Sequence, residues 1–395
     1  MIDIVAVLRA EDAVLDFLSV LAAPEPAGPQ DQGHEVHVLL GDTGAHLVLP
    51  ADLPTADRLA ALARHVRPVD ESAASPGPKA LAVLFEAASR GAPARLWTHS
   101  PADTRRSRGV LGRDAAAAAT TARGGLPVLH AVGHSPYLQF ISDLDRPLDR
   151  AEAGAKLAFV NRHCGHLLRT GSAEYVVGTG RVHATERFFA AEPEERERLF
   201  ALLASLDEDA ASVPDPWEFA TSAYEAERLD GTVAWIAGHC PPGSGPLVEV
   251  GACEGALTAR LVEKGFTVHA TEPNPAFRRR LAERVGDTAR VRPEPLEELA
   301  SRAEPPGAAY LLIEMLYYGQ DLALLDELPA DLVFVALEPE TLAARLTPWL
   351  AGSPHWEKAD ERPLVAPALE TVCGGRAYLG KRGSVGVLLR RRPAV

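Results

Sequence analysis

The sequence predicts an α/β fold organised as two domains, on three observations. Apolar runs of strand length alternate with amphipathic stretches of helical spacing in both halves of the chain. At 395 residues the chain exceeds the about 250 to 300 that a single hydrophobic core organises. A stretch rich in acid, Ser and Pro, Asp207 to Pro216, lies between the halves and sets the domains at 1–206 and 212–395.

In the first half, Ile2 to Leu8 reads as a buried strand, and Asp12 to Leu21 follows with Val14, Leu15, Leu18 and Leu21 at helical spacing. Pro24 to Gly33 is a loop, His34 to Leu40 a second strand, and Asp57 to Val66 a helix. Ser72 to Pro78 is again a loop, Lys79 to Ser89 a helix, and Ala94 to Thr98 a strand. Strands separated by helices imply a parallel sheet. Glu192 to Leu206 closes this half as an amphipathic helix with Leu199, Phe200, Leu202, Leu203 and Leu206 on one side.

The second half is organised by Pro246 to Asn274. Leu247, Val248 and Val250 form a strand ended by Gly251, and Ala256, Leu257, Ala259, Leu261 and Val262 continue as a helix stopped by Gly265. Thr267 to Thr271 is the next strand, and Glu272 ends it about 20 residues beyond Gly251. Glycines bring a backbone turn close to a ligand, and a carboxylate at this spacing suits a ribose hydroxyl pair, so the pattern is that of a nucleotide-type cofactor. The turn reads Glu249-Val-Gly251-Ala-Cys253-Glu-Gly255. Cys253 replaces a middle glycine, and Glu249 and Glu254 make the turn hostile to a pyrophosphate but suited to a cationic adenosyl cofactor. Beyond it come a helix from Ala276, a short strand Arg290–Arg292 followed by Glu294, strand Ala308 to Ile313 ending in Glu314-Met-Leu-Tyr317-Tyr318, strand Asp331 to Leu337 and a helix from Pro339. Ala377 to Gly380 and Val385 to Leu389 read as the closing hairpin.

These residues resemble the class I S-adenosylmethionine (SAM) methyltransferases, and over about residues 212 to 392 the NodS-like members. The resemblance implies a Rossmann-like domain that binds SAM. It puts Glu249 near the methionine part, Gly251, Cys253 and Gly255 under the cofactor, Glu272 on the ribose and Glu294 near adenine. Asp215-Pro-Trp217 and Tyr224-Glu225 resemble that family's lead-in to the domain, which implies a lid in which Trp217 and Tyr224 face the sulfonium. Glu314, Tyr317 and Tyr318 match its Glu-Val-Leu-Tyr-Tyr segment and imply acceptor-side catalytic roles: Glu314 as proton acceptor or orienting group, the tyrosines as lining. The family's His-Trp segment after strand five is missing here; a His355-Trp356 pair comes only later, which leaves the acceptor open.

The first half resembles PIG-L/LmbE-type zinc deacetylases. Arg9-Ala-Glu11-Asp12 falls on their His-Pro-Asp-Asp motif, Trp97-Thr98-His99 on a strand end, Arg105 to Gly112 on a second histidine motif, and Lys156 with Glu186-Arg187-Phe188 on the closing segment. Arg9, Arg105 and Arg108 stand at the three histidine positions. A guanidinium does not ligate zinc, so the expectation is a degenerate domain without a metal site. His163-Cys164-Gly-His166 and the pair His130 and His134 offer no third ligand.

A net charge of -14 opposes nucleic acid as partner. Four cysteines form no disulfide framework, the first residues carry acid where a signal peptide needs basic charge, and no apolar run reaches about 18 residues, so the expected setting is cytoplasmic without a membrane partner. The expected function is methyl transfer to N or O of a sugar-containing small molecule, an amino sugar or glycoside, in natural-product biosynthesis. The rivals are a bifunctional N-deacetylase/N-methyltransferase and a SAM-binding regulatory protein without turnover. Oligomeric state, including a homo-oligomer, stays open.

Overall fold

The computed structural model describes residues 1–22, 35–67, 76–103, 105–122, 125–132, 138–165, 182–202, 210–211, 213–302, 307–317 and 319–393. The chain divides into two compact units, Met1–Ala210 with Thr371–Tyr378, and Ala211–Glu370 with Leu379–Val395. No helix among the described residues is long and apolar enough to cross a membrane.

In the first unit β1 (Ile2–Val7), α1 (Ala10–Leu21), β2 (Glu35–Leu40), β3 (His46–Leu49), α2 (Thr55–Ala63), α3 (Pro78–Ser89), β4 (Ala94–Thr98), α4 (Arg106–Thr121) and β5 (Val128–Ala131) come first. They are followed by β6 (Leu138–Phe140), β7 (Leu144–Pro147), α5 (Arg150–His163), β8 (Thr185–Phe189) and α6 (Pro193–Leu202). The main sheet runs β3-β2-β1-β4-β5-β8-β7, with β2, β1, β4 and β5 parallel and the outer strands antiparallel. Successive strand residues alternate between faces. Val5, Val7 and Trp97 pack with α1, whereas Ile4, Ala6 and Leu96 pack with α3 and α4. Helix α1 is interrupted at Phe17 (φ -136°), and Glu186 caps the break by accepting from the Leu18 and Ser19 N–H groups while holding Lys156 at 2.7 Å.

The second unit begins with α7 (Ala223–His239), β9 (Leu247–Val250), α8 (Ala256–Glu263), β10 (Val268–Thr271), α9 (Pro275–Val285), β11 (Arg290–Arg292), α10 (Leu296–Arg302) and β12 (Ala309–Ile313). Then come β13 (Leu332–Leu337), α11 (Pro339–Thr341), continued through a π-helical stretch Leu342–Leu346 into α12 (Thr347–Gly352), and β14 (Trp356–Val365). β15 (Ala368–Val372), β16 (Ala377–Lys381) and β17 (Ser384–Arg391) complete the chain. The sheet order is β11-β10-β9-β12-β13-β17-β14, parallel as far as β13 and antiparallel at β17. Leu247, Val268, Leu311 and Phe334 face α7, α8 and α9, and Val248, Val250, Leu312 and Val335 face α10 and the Leu342–Leu346 stretch. Both faces are covered, so the strands read as near-continuous apolar runs.

One expectation fails. The closing hairpin partner of β17 is the ten-residue β14, not Ala377 to Gly380; those residues lie in β16, which pairs with β15. β14 carries a run of charged residues (Glu357, Lys358, Asp360, Glu361) between buried Trp356 and Leu364, as an edge strand does, and this hid it in the sequence.

Candidate functional site

Strand β9 lies between β10 and β12, so chain connections diverge from it in opposite directions and leave a crevice at the carboxyl ends of the strands. Three residues beyond β9 adopt the left-handed conformation: Gly251 (φ +69°), Cys253 (+51°) and Gly255 (+77°). Gly255 is required twice over, because a Cβ there would also stand 2.5 Å from Leu281 Cδ1 on α9. Cys253 holds its unfavourable φ through its N–H, which donates to Glu272 Oε2 at 2.8 Å and ties the turn to the end of β10. Glu272 Oε1 accepts from the Asn274 N–H at 2.8 Å, and Asn274 caps α9 through Ala276 and Phe277. Glu249, 4% exposed, accepts from the Thr258 hydroxyl at 2.6 Å. Glu249, the glycine turn and Glu272 are thus brought together.

Neither Glu249 nor Glu272 forms an ion pair among the described residues. Arg278 is near, but its guanidinium is bound to the main-chain oxygens of Glu272 and Pro273, both at 2.9 Å. Burial pushes the Glu249 carboxyl up to about 7, with the Glu272 charge adding to the shift and the Thr258 bond opposing it. Burial also raises Glu272, against its two backbone donors and the Arg278 charge. Two buried carboxylates that form no direct ion pair are an unfavourable arrangement that a bound cation relieves. The third acid of the turn departs from expectation. Glu254 is paired with Arg280, which also donates to the Val213 and Ala211 carbonyls, so the negative character of the turn comes from Glu249 and Glu272. Glu294 is likewise engaged, held by Arg292 at 2.6 Å.

The lead-in to α7 is anchored by the same contacts. The Asp215 N–H donates to Glu254, and the Asp215 carboxylate accepts from the Phe219 and Ala220 N–H groups. Trp217 packs on Phe219 and on Phe277 of α9, with ring centroids 5.9 and 5.2 Å away. Tyr224 is elsewhere: its ring lies 5.3 Å from Lys381 Nζ, and burial with the Glu225 charge pushes its hydroxyl up to about 12. Trp217 thus packs against α9, which follows β10, and Tyr224 lies beside Lys381 at the end of β16.

Glu314 ends β12 in the left-handed conformation (φ +53°). Its Oε1 accepts from Ser384 Oγ at 2.5 Å and its Oε2 from the Tyr317 hydroxyl, while Arg228 Nη1 stands 4.0 Å away. Burial raises this carboxyl, opposed by Arg228 and the two hydroxyl donors. Tyr317 also accepts from the Glu338 N–H at 2.9 Å, so its hydroxyl hydrogen is committed to Glu314 and its exposed ring is available for lining. Tyr318 lies outside the described residues. Thr258, Arg280, Arg228 and Ser384 carry no local signature and were absent from the sequence reading.

In the first unit, the equivalent crevice beyond β1 is filled by ion pairs. Arg108 donates Nε and Nη2 to Asp12 Oδ1 at 3.0 and 2.8 Å, Arg9 stands 3.9 Å from Glu11, and Arg105 clasps Asp103 at 2.6 Å. Burial alone would raise Asp12, but Arg108 and His99 outweigh it and hold the carboxyl well below its usual range. Glu11 is pushed up to about 7 by burial and by Asp12. His99 Nε2 accepts from the Leu8 N–H, and His130 bonds the His99 carbonyl and is lowered to about 4 by burial. Among the described residues no group of three His, Cys, Asp or Glu has the arrangement of a metal site. Cys164 is buried at the end of α5; His134 and His166 lie outside the described residues.

No family model matches the chain, and no curated protein does. Solved structures similar to it include several methyltransferases. The N-methyltransferase NodS from Bradyrhizobium japonicum WM9, in complex with S-adenosyl-L-homocysteine, is 12% identical over 46% of this chain and 95% of its own, with a TM-score of 0.35. Magnesium protoporphyrin IX methyltransferase from Synechocystis PCC 6803, with bound SAM, is 15% identical over 44% of this chain and 85% of its own, with a TM-score of 0.33.

Proposed function

We propose that the second unit binds S-adenosyl-L-methionine and transfers its methyl group to N or O of a small acceptor, an amino sugar or glycoside. The observation that carries the cofactor assignment is the pair of buried carboxylates, Glu249 and Glu272, which flank a left-handed backbone turn and form no direct ion pair among the described residues. Such a site repels pyrophosphate and favours a ligand that combines a ribose diol with a positive centre.

When bound, the cofactor supplies an electrophilic methyl on a sulfonium; the acceptor's lone pair forms the new bond to carbon as the C–S pair returns to sulfur, leaving a neutral thioether. In this reading Glu272 accepts from the ribose hydroxyls with the lone pairs its backbone donors leave, and Glu249 provides the compensating negative charge. Glu314, at the carboxyl end of the neighbouring strand, takes the proton the acceptor group releases. The Glu314 carboxylate, whose side chain is 24% exposed, suits ammonium or hydroxyl groups of a sugar. In-line transfer needs positioning and exclusion of water, not a metal. We give the first unit no zinc chemistry, because the Arg108 guanidinium sits on the one carboxylate left of the deacetylase ligand set.

Calorimetric titration with S-adenosylhomocysteine tests the cofactor assignment. Glu272→Ala is expected to weaken binding by about 1 to 3 kcal/mol, and Gly251→Val to abolish it, since a β-branched residue at φ +69° forces the turn to rearrange. Wild-type affinity in both variants would overturn it.

A further inference from the structure

The turn joining β16 to β17, Lys381-Arg382-Gly383-Ser384, engages several elements at the β12 end of the crevice. Lys381 Nζ pairs with Glu225 at 3.2 Å, and Arg382 pairs with Glu338 beyond β13 at 2.8 Å. Gly383 (φ +86°) leaves no room for a side chain, since a Cβ would stand 3.0 Å from Pro367 Cδ and 3.1 Å from its nitrogen. Ser384, 1% exposed, delivers its hydroxyl to Glu314 Oε1 at 2.5 Å.

We propose that Ser384 is a positioning residue for Glu314: its hydroxyl fixes one carboxylate oxygen and keeps the group ionised, ready to accept a proton at the acceptor end of the site. This rests on the methyltransferase reading for what the proton belongs to, but the Ser384–Glu314 link stands on the geometry alone. The hydroxyl is not needed to place the strand, because the Ser384 backbone is registered against Val365 on β14. Glu314 itself does need holding. A non-glycine residue at φ +53° is strained, and its carboxylate is fixed on one side by Ser384 and on the other by Tyr317.

The charges around Glu314 set the direction of the effect. Arg228 on α7 favours the ionised form, Glu225 on the same helix opposes it, and the Ser384 and Tyr317 hydroxyls stabilise the anion as donors. The Tyr224 hydroxyl belongs to the same cluster, but with its own ionisation pushed up to about 12 it stays neutral. Removing one donor from a partly buried carboxylate leaves desolvation less opposed, so proton affinity must rise.

The test is a carbon-13 titration of the full chain labelled at glutamate side-chain carboxyls, with the Glu314 signal identified by its loss in Glu314→Gln. Ser384→Ala is expected to move the Glu314 midpoint upward by roughly one pH unit, and Tyr317→Phe to move it in the same direction. A midpoint unmoved or lowered in Ser384→Ala overturns the proposal. Affinity for S-adenosylhomocysteine, measured on the same samples, is expected to be the same in Ser384→Ala and wild type; a loss confined to the variant would mean a general structural role and also overturns it. Failure of the wild type to bind S-adenosylhomocysteine would instead count against the cofactor reading, and the titration alone would then decide the role of Ser384.

Discussion

The sharpest consequence of the proposed site is that SAM affinity is expected to depend on pH through Glu249. In the ligand-free protein this carboxyl titrates at about 7, raised chiefly by burial. A cationic ligand favours its ionised form, so below that value binding expels a proton and affinity falls about tenfold per pH unit. From about pH 8 to about pH 6 the free protein passes from roughly one-tenth protonated to roughly one-tenth ionised, which lowers SAM affinity about tenfold, or about 1.4 kcal/mol. S-adenosylhomocysteine shares the amino and carboxylate groups but lacks the sulfonium charge, so the ratio of the two affinities cancels the ligand's own titration and isolates Glu249. That ratio, measured by calorimetry across this range, is expected to shift toward SAM as pH rises. Glu249→Gln retains an acceptor for the Thr258 hydroxyl and should flatten the dependence. The same variant tests the linked stability. A folded-state value above the ordinary 4.5 means that ionisation costs stability, a cost that grows as pH rises from 4.5 to about 7 and is constant above. Glu249→Gln should therefore stabilise the ligand-free protein above neutrality, by up to about 3 kcal/mol. A flat SAM to S-adenosylhomocysteine ratio in the wild type, or an unchanged slope in Glu249→Gln, would refute the reasoning.

Other outcomes follow from the same contacts. Glu314→Gln should lower turnover while leaving SAM affinity near normal, checked by radiolabelled methyl transfer beside calorimetry. Gly255→Ala should lower the melting temperature, since φ +77° costs an alanine about 1 to 2 kcal/mol and its methyl meets Leu281. In the first unit, Asp12→Asn and Arg108→Ala should each destabilise by about 3 to 5 kcal/mol in denaturant titrations, because each strands the partner's charge in a buried place. Elemental analysis of purified protein should find no stoichiometric zinc, and about one zinc per chain would mean that the arginines do not stand where the metal binds.

The parts of this molecule that were readable from sequence are those set by local spacing. Strand β11 falls at Arg290–Arg292 as expected, and the Glu249, Gly251 and Glu272 constellation is fixed by one strand, one turn, one helix and the next strand. What escaped depends on contacts between residues far apart in the chain. Ser384 meets Glu314 across 70 positions, Arg108 meets Asp12 across 96, and Arg280 neutralises Glu254 from α9, 26 positions on. No periodicity encodes such pairs. The charge of the turn was overcounted for this reason, since a carboxylate next to a glycine turn looks the same in sequence whether or not an arginine will reach it.

That distinction separates the two crevices. Both sheets share a parallel core in which the first strand lies between the second and a later parallel strand of its own set, β2-β1-β4 in one and β10-β9-β12 in the other, and both place buried carboxylates at or just beyond that strand. In the first unit Asp12 is matched by a guanidinium within hydrogen-bonding distance, so its negative charge is already stabilised by the protein, and a cationic ligand would have to displace that partner. In the second unit Glu249 and Glu272 repel one another and form no direct ion pair among the described residues; they accept from a hydroxyl and backbone N–H groups, Arg278 acts on Glu272 without bonding its carboxylate, and burial still leaves their ionisation unfavourable until a further positive charge arrives. Neutralising the acid therefore has opposite signs in the two places. Asp12→Asn removes a stabilised charge and strands Arg108, whereas Glu249→Gln removes a charge that the ligand-free protein bears at a cost. A buried carboxylate whose neutralisation stabilises the free protein but weakens its preference for a cation is one kept for the ligand and not for the fold.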